Sequence, residues 1–176
     1  AVHKRDRLTG CSLTGWYDAM DLLGYDDEQQ KAVLQMLEEV ATEESRLYAT
    51  ALRIPLPLLI TTIKPEGTLS QVAGGVSSGL HRAHSKFFKR RIRINANDAL
   101  VDVAKALGWT IHAEVGTAGF NDEESLAKSW VIAQANTVVI TFPVKSGAKT
   151  TKDDITVDEQ FDTYFMFQNF YTQHNS

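Results

Sequence analysis

The clearest helical pattern in the chain lies behind Asp27, where apolar residues recur at three- and four-residue spacing, as on one face of an amphipathic helix. The residues on this face are Val33, Met36, Leu37, Val40, Leu47, Tyr48 and Ala51. Asp26 and Asp27 favour a helix N-terminus, and Pro55 and Pro57 prevent continuation. The pattern therefore predicts a long helix, preceded by a shorter one that ends near Gly24.

Strand patterns occupy three other stretches. Residues 58–63 are apolar and β-branched without alternation, which is typical of a strand buried on both faces in a parallel sheet. Residues 109–115 alternate strictly and predict a half-buried strand with Trp109, Ile111, Ala113 and Val115 on one side. Residues 138–142 predict a further strand, and Ile92 and Ile94 show β-like alternation.

Two further helices have capping signals. Asn97 or Asp98 can cap a helix that Gly108 closes. Thr156 and Glu159 form a capping box before a final helix that carries Phe161, Tyr164 and Phe165. These elements predict a mixed α/β fold, or α+β as an isolated piece.

Length and composition agree with one folded domain over residues 1–176, without an internal boundary. The longest largely apolar run, residues 54–60, is too short to span a membrane and contains two prolines. The single cysteine, Cys11, excludes an internal disulfide and a thiolate-cage zinc site. We expect a cytoplasmic protein without a membrane partner, and the nature of both ends suggests a piece of a longer chain.

The charges are unevenly distributed. The net charge of −4 does not favour nonspecific nucleic-acid binding. Residues 67–97 nevertheless contain no Asp or Glu and carry six basic residues, Arg82, Lys86, Lys89, Arg90, Arg91 and Arg93. This segment is suited to holding an anion, although the basic side chains can equally form a solvated face.

The strongest candidate site is the segment that follows the strand at 58–63. It comprises Pro65, Glu66, Gly67, Thr68, Leu69 and Ser70, and residues 67–79 contain four of the eleven glycines. A helix start after this turn would direct backbone N–H groups at a phosphate, and the hydroxyls of Thr68 and Ser70 could add hydrogen bonds. The alternative is a flexible crossover loop, because the segment matches neither the Walker nor the G-x-G-x-x-G pattern.

Several blocks together resemble the catalytic subunit of ribonucleotide reductase. Residues 64–81 read KPEGTLSQVAGGVSSGLH and residues 90–94 read RRIRI. Collinear matches are LTGW at 13–16, VITFPVK at 139–145 and FYTQHNS at 170–176. The resemblance is greatest to the adenosylcobalamin-dependent, class II ribonucleoside-triphosphate reductases.

The resemblance implies a C-terminal portion of a ten-stranded α/β barrel in which residues 65–70 hold the phosphates of a ribonucleoside triphosphate. It implies an allosteric enzyme of deoxyribonucleotide biosynthesis that replaces the ribose 2′-OH by hydrogen through a thiyl radical. Adenosylcobalamin, with its cobalt, would be the cofactor and a thioredoxin-like protein the reductant. The family's radical and redox cysteines have no match here, so no catalytic residue and no metal ligand are assigned, and Cys11 receives no redox role.

Two alternatives remain open. One is the class I large subunit, which reduces diphosphates and receives its radical from a second protein. The other is a stand-alone nucleotide- or phosphate-binding module. On the leading interpretation, we expect that the 176-residue chain alone does not reduce ribonucleotides and that its uncovered apolar surfaces drive self-association.

Overall fold

The computed structural model describes Arg5 and residues 7–175. The helices and strands in chain order are α1 (Trp16–Leu23), α2 (Asp27–Leu52), β1 (Thr62–Ile63), α3 (Leu69–Val72), β2 (Phe87–Asn95), α4 (Ala99–Ala106), β3 (Thr110–Ala113), α5 (Glu123–Leu126), α6 (Ser129–Ile132), β4 (Thr137–Lys145), α7 (Val157–Phe170) and β5 (His174–Asn175). A 3₁₀ turn lies at Thr117–Gly119. Ser176, the last residue of the block at 170–176, lies outside the described residues.

The described residues form two compact units. Unit 1 contains the chain up to Lys86 and again from Ser146, whereas unit 2 is the continuous segment Phe87–Lys145. In unit 2 the first residue pairs with the last, Phe87 with Lys145, because β2 and β4 are antiparallel over their whole lengths. The chain therefore enters and leaves unit 2 at one place. That residues 1–176 form a single domain stays a prediction. The described residues are arranged in these two units.

Helix ends in unit 1 follow the capping signals of the sequence. The Asp26 carboxylate accepts a hydrogen bond from the Gln29 N–H, and the Gln29 side chain accepts one from the Asp26 N–H. The predicted capping box at Thr156 and Glu159 is present before α7. Gly24 ends α1 in the left-handed conformation. The predicted first, long and final helices are therefore confirmed.

The core of unit 1 lies between α1, α2, β1 and α7. Its buried residues are Trp16, Tyr17, Met20, Leu34, Ile63, Phe167 and Tyr171. The Trp16 indole N–H donates to the Gln30 side chain at 3.1 Å, which satisfies a polar group inside this core. This packing fixes the end of β1, from which the candidate site segment continues.

The predicted strand at 58–63 is shorter than expected. β1 comprises two residues, pairs in parallel with β5, and is preceded by an isolated parallel bridge between Cys11 and Thr61. Residues 60–63 are buried, but the Leu58 side chain is 62% exposed. The prediction of a buried strand with parallel neighbours is thus correct only for the second half of residues 58–63, which pairs with β5 and with Cys11.

Unit 2 is a three-stranded antiparallel sheet of order β2-β4-β3 with short helices. The Asp98 carboxylate caps α4 by accepting from the Leu100 N–H, as predicted. Strand β3 is shorter than the predicted 109–115: Trp109 is 46% exposed and packs on Phe142, and the chain turns after Ala113. The alternating pattern of the sequence continues beyond both ends of the strand. At the C-terminal end the strand stops because a turn begins, in which the Thr117 N–H donates to the Glu114 carbonyl.

Apolar side chains remain exposed in unit 1, and they are the surfaces through which we expect the chain to self-associate. Leu56, Leu58, Phe161 and Phe165 each expose at least half of their surface. Burying such groups is favourable at about 25 cal/mol per Å² of apolar surface, so we expect dimers or larger assemblies at tens of micromolar. Sedimentation velocity of the 176-residue chain measures this. A single monomer boundary at that concentration would contradict the expectation.

Candidate functional site

The candidate site is the turn that connects β1 to α3. Glu66 has a positive φ of 51°, and α3 begins at Leu69 with Thr68 as its N-cap residue. The Thr68 side chain makes no capping hydrogen bond. The predicted sequence of strand, turn and helix start is therefore present, although the helix is one turn long.

Three consecutive backbone donors of this turn have no acceptor among the described residues. They are the N–H groups of Gly67, Thr68 and Leu69, whereas the next one, of Ser70, donates to the Glu66 carbonyl at 3.0 Å. Gly67, Thr68 and Leu69 are all exposed. A Cβ atom built on Gly67 would have no other atom within 4 Å, so the space beside the turn is open. The turn therefore offers three adjacent, unpaired backbone donors to an anion.

Ser70 is used differently from the expectation. Its side chain is buried, and its Oγ lies 3.2 Å from the Gly67 carbonyl oxygen and 2.9 Å from Ser78 Oγ. Its N–H is already bound to Glu66. Both polar groups of Ser70 are therefore used inside the loop, and the hydroxyl available for a ligand is that of the exposed Thr68.

The Glu66 side chain does not occupy the free donors. Its Oε2 atom is buried and has no hydrogen-bond partner among the described residues. The pKa of the Tyr171 phenol is raised mainly by burial, then by its contact with Cys11, and to a smaller extent by the charges of Glu38 and Glu66. The Glu66 Oε2 atom therefore leaves the N–H groups of residues 67–69 free.

A small cavity adjoins the turn on the side of Pro65. Its volume is about 260 Å³, and its lining residues are Ile63, Lys64, Pro65, Leu80, His81, Gln160, Phe161 and Tyr164. The lining is mostly apolar, with Lys64 and His81 as the cationic or titratable groups. The sequence showed the aromatic face of α7 but contained no local signal that this face meets the residues before the turn.

Arg82, which lies in unit 1 with the turn, contacts residues outside the turn. Arg82 packs over the Tyr17 ring at 3.4 Å and donates to Thr150 Oγ1 at 2.7 Å. The acid-free segment is also divided between the two units, and two of its basic side chains in unit 2 pair with acidic residues from outside the segment. Arg91 pairs with Glu123 at 3.2 Å and Arg93 with Glu114 at 3.6 Å. The anion-binding potential of this region therefore rests on backbone donors rather than on a cluster of arginines.

Cys11 lies in the parallel bridge to Thr61, and its carbonyl oxygen accepts a hydrogen bond from the Tyr171 hydroxyl at 3.0 Å. The thiol is exposed and free. Among the described residues, no group of three or more His, Cys, Asp or Glu side chains could hold a metal ion. In the same part of the chain, none of the helices combines the length and apolar character needed to cross a bilayer.

Comparison with known proteins gives a consistent set of relatives. No known family's sequence profile matches the chain. The adenosylcobalamin-dependent ribonucleoside-triphosphate reductase of Lactobacillus acidophilus is 25% identical in an alignment 173 residues long, which covers 91% of this chain and 21% of that protein. The reductases of the same name from Lacticaseibacillus paracasei and Lactobacillus leichmannii are 28% and 26% identical, over 84% and 89% of this chain and 18% and 19% of theirs.

The chain thus spans about a fifth of the length of the curated relatives it matches. Among solved structures, a B12-dependent, class II ribonucleotide reductase superposes with a TM-score of 0.74 at 21% identity, over 99% of this chain and 26% of that protein. The predicted α/β fold, as a portion of a reductase barrel protein, is confirmed by this likeness. Over most of its length, the chain is therefore homologous to one segment of the adenosylcobalamin-dependent ribonucleoside-triphosphate reductases, as its sequence motifs indicated.

Proposed function

We propose that this chain is a portion of a ribonucleoside-triphosphate reductase and that the turn at residues 65–70 binds the phosphates of the substrate. The observation that carries the proposal is the run of free, exposed N–H groups at Gly67, Thr68 and Leu69. Homology to proteins named as triphosphate reductases supports ribonucleotide reduction as the overall activity. A triphosphate substrate is favoured over a diphosphate because these relatives are named as triphosphate reductases.

The chain's own contribution would be to bind and orient the substrate. Backbone N–H groups are charge-assisted donors to phosphate oxygens, and their positions are fixed by the turn before the ligand arrives. The Thr68 hydroxyl would add one further donor. The Glu66 Oε2 atom is buried and accepts no hydrogen bond from the described residues, so it leaves the three N–H groups available to a ligand.

Adenosylcobalamin is proposed as the cofactor of the whole enzyme from the names of the relatives. The residues around the turn do not fit this group. Their cavity of 260 Å³ is below the roughly 300–1,000 Å³ typical of pockets for drug-sized ligands, and a corrinoid is larger than such ligands. No chemical step is therefore assigned through the cofactor to these residues, and a thioredoxin-like reductant and a cytoplasmic location remain proposals for the whole enzyme.

The experiment that tests the phosphate site is a titration of the ¹⁵N-labelled 176-residue chain with CTP and, separately, with cytidine. We expect saturable amide shifts centred on Gly67, Thr68 and Leu69 with CTP and none at these positions with cytidine. Inorganic tripolyphosphate should reproduce the shifts, since the phosphates make the contacts. Equal shifts with cytidine, or CTP shifts confined to other parts of the chain, would refute the assignment.

A separate prediction concerns turnover. Ribonucleotide reduction in the resembling family needs a radical thiol and a reducing pair of thiols, whereas this chain contains one cysteine. We therefore expect no conversion of any ribonucleoside triphosphate by the purified 176-residue chain, with or without adenosylcobalamin and dithiothreitol. Conversion of radiolabelled CTP to dCTP measures this, with an intact class II reductase as the positive control. Product formation by the chain alone would contradict the prediction.

A further inference from the structure

The loop that follows α3 is bonded to the candidate phosphate turn. Ser78 Oγ lies 2.9 Å from Ser70 Oγ, and Ser70 Oγ lies 3.2 Å from the carbonyl oxygen of Gly67. The Gly67 carbonyl belongs to the same peptide unit as the N–H of Thr68, one of the three free donors. A chain of two hydrogen bonds therefore connects Ser78 to the orientation of that peptide.

The backbone around Ser78 is held by hydrogen bonds to α1 and to the residues that precede α1. The Ser77 N–H donates to Asp18 Oδ2 at 2.7 Å, and the Ser77 carbonyl accepts from the Gly15 N–H at 2.8 Å. Thr14 Oγ1 donates to the same carbonyl at 3.1 Å and accepts from the Gly79 N–H at 3.2 Å. Both peptides that flank Ser78 are thus held by the segment 14–18.

Two glycines show how closely these segments approach. Gly79 has a φ of +50°, and a Cβ atom there would lie 2.5 Å from the carbonyl oxygen of Lys64, just before the turn. Gly15 has a φ of +70°, and a Cβ atom there would lie 2.9 Å from Val76 Cβ. A side chain at Gly79 would have to displace the Lys64 carbonyl, one at Gly15 would have to displace Val76, and both positions have the left-handed backbone that favours glycine. The Thr-Gly motif at 14–15 and the Ser-Ser-Gly motif at 77–79 are therefore closely packed and hydrogen-bonded to each other.

We propose that Ser78 is a positioning residue for anion binding: held by Asp18 and Thr14, it bonds Ser70 and thereby orients the peptide between Gly67 and Thr68. This inference rests on the proposed function of the turn. Ser78 would not touch the phosphate. It would fix the direction of a donor before binding, which lowers the cost of ordering the turn around the ligand.

The neighbouring serine supplies a matched control. Ser77 Oγ is buried without a hydrogen-bond partner among the described residues, so Ser77→Ala removes a hydroxyl from the same loop without breaking a side-chain hydrogen bond. Ser78→Ala breaks the bond to Ser70, and Ser78→Thr keeps a hydroxyl at the position. All three variants and the wild-type chain are compared for tripolyphosphate affinity by calorimetry, for unfolding midpoint, and for the amide shifts of the ligand-free protein.

We expect Ser78→Ala to bind tripolyphosphate about threefold to tenfold more weakly than wild type, the range for one lost neutral hydrogen bond. The amides of Gly67 and Thr68 should shift in the ligand-free Ser78→Ala protein. Ser77→Ala should retain wild-type affinity and shifts at these two amides, and Ser78→Thr should recover most of the affinity. A structural role alone would lower the unfolding midpoint without moving these two amides.

The two possible failures are distinguishable. If the wild-type chain binds tripolyphosphate and Ser78→Ala binds as tightly as Ser77→Ala, the positioning role of Ser78 is wrong and the phosphate site stands. If the wild-type chain does not bind tripolyphosphate, the proposed function is wrong and the inference is overturned with it. Weaker tripolyphosphate binding by Ser78→Ala, with recovery in Ser78→Thr, would support both the phosphate site and the positioning role of Ser78.

Discussion

Gly67→Val should weaken the binding of a ribonucleoside triphosphate to this chain by at least about tenfold while leaving its unfolding midpoint unchanged. A Cβ atom at Gly67 has no atom within 4 Å apart from its chain neighbours, and the residue does not have a left-handed backbone, so a side chain can be attached there without a Cβ clash or left-handed strain. The valine side chain would instead occupy the open space at the turn that a bound phosphate needs. Excluding a phosphate from a charge-assisted hydrogen bond costs about 1.5–3 kcal/mol.

Calorimetric titration with CTP measures the loss, and urea unfolding checks the fold. Gln71→Val is the matched control because it places the same side chain on the exposed surface of α3, beyond the free donors. Thr68→Ala should have a smaller effect than Gly67→Val, since it removes one hydroxyl and leaves the backbone donors in place. Equal CTP affinity of Gly67→Val and Gln71→Val would show that the phosphates bind elsewhere.

The local elements of this protein could be predicted from the sequence because their signals are local. Asp26 with Gln29 and Thr156 with Glu159 are three residues apart, and each pair forms the cap that its spacing indicates. The strand-turn-helix arrangement of the candidate site was likewise contained in adjacent residues 62–72. Homology blocks spread along the chain then pointed to the same turn as the glycine and hydroxyl pattern did.

The features that escaped prediction depend on residues far apart in sequence. The sequence predicts that the Ser70 hydroxyl contacts the ligand because it adjoins the turn, whereas its contact with Ser78 forms only when the loop folds back. The support of that loop by Asp18, 59 residues earlier, has no periodic signature. In the same way, the charge run at 67–97 suggested one anion-binding surface, whereas Arg91 meets Glu123, which is 32 residues away in sequence.

The packing that holds β1 in place leads to the second large expected effect. Phe167 is completely buried, belongs to the core that contains Leu34 and Ile63, and meets the Trp16 ring edge-on with 5.2 Å between the ring centroids. Truncating a buried phenylalanine costs about 3–5 kcal/mol, because both transfer free energy and packing are lost. Phe167→Ala should therefore lower the free energy of unfolding of unit 1 by about this amount.

Phe165→Ala on the same helix is the control, because its side chain is 55% exposed and exposed substitutions change stability by about 0.5 kcal/mol or less. Urea unfolding followed by tryptophan fluorescence measures both variants: Trp16 contacts Phe167, and Trp109 and Trp130 add the signal of unit 2. A loss of stability as small as that of Phe165→Ala would contradict the described core. Because Ile63 belongs to this core and immediately precedes Lys64 and Pro65, partial unfolding of Phe167→Ala should also abolish the CTP-dependent shifts at Gly67 and Thr68, which would link the stability of α7 to the phosphate turn.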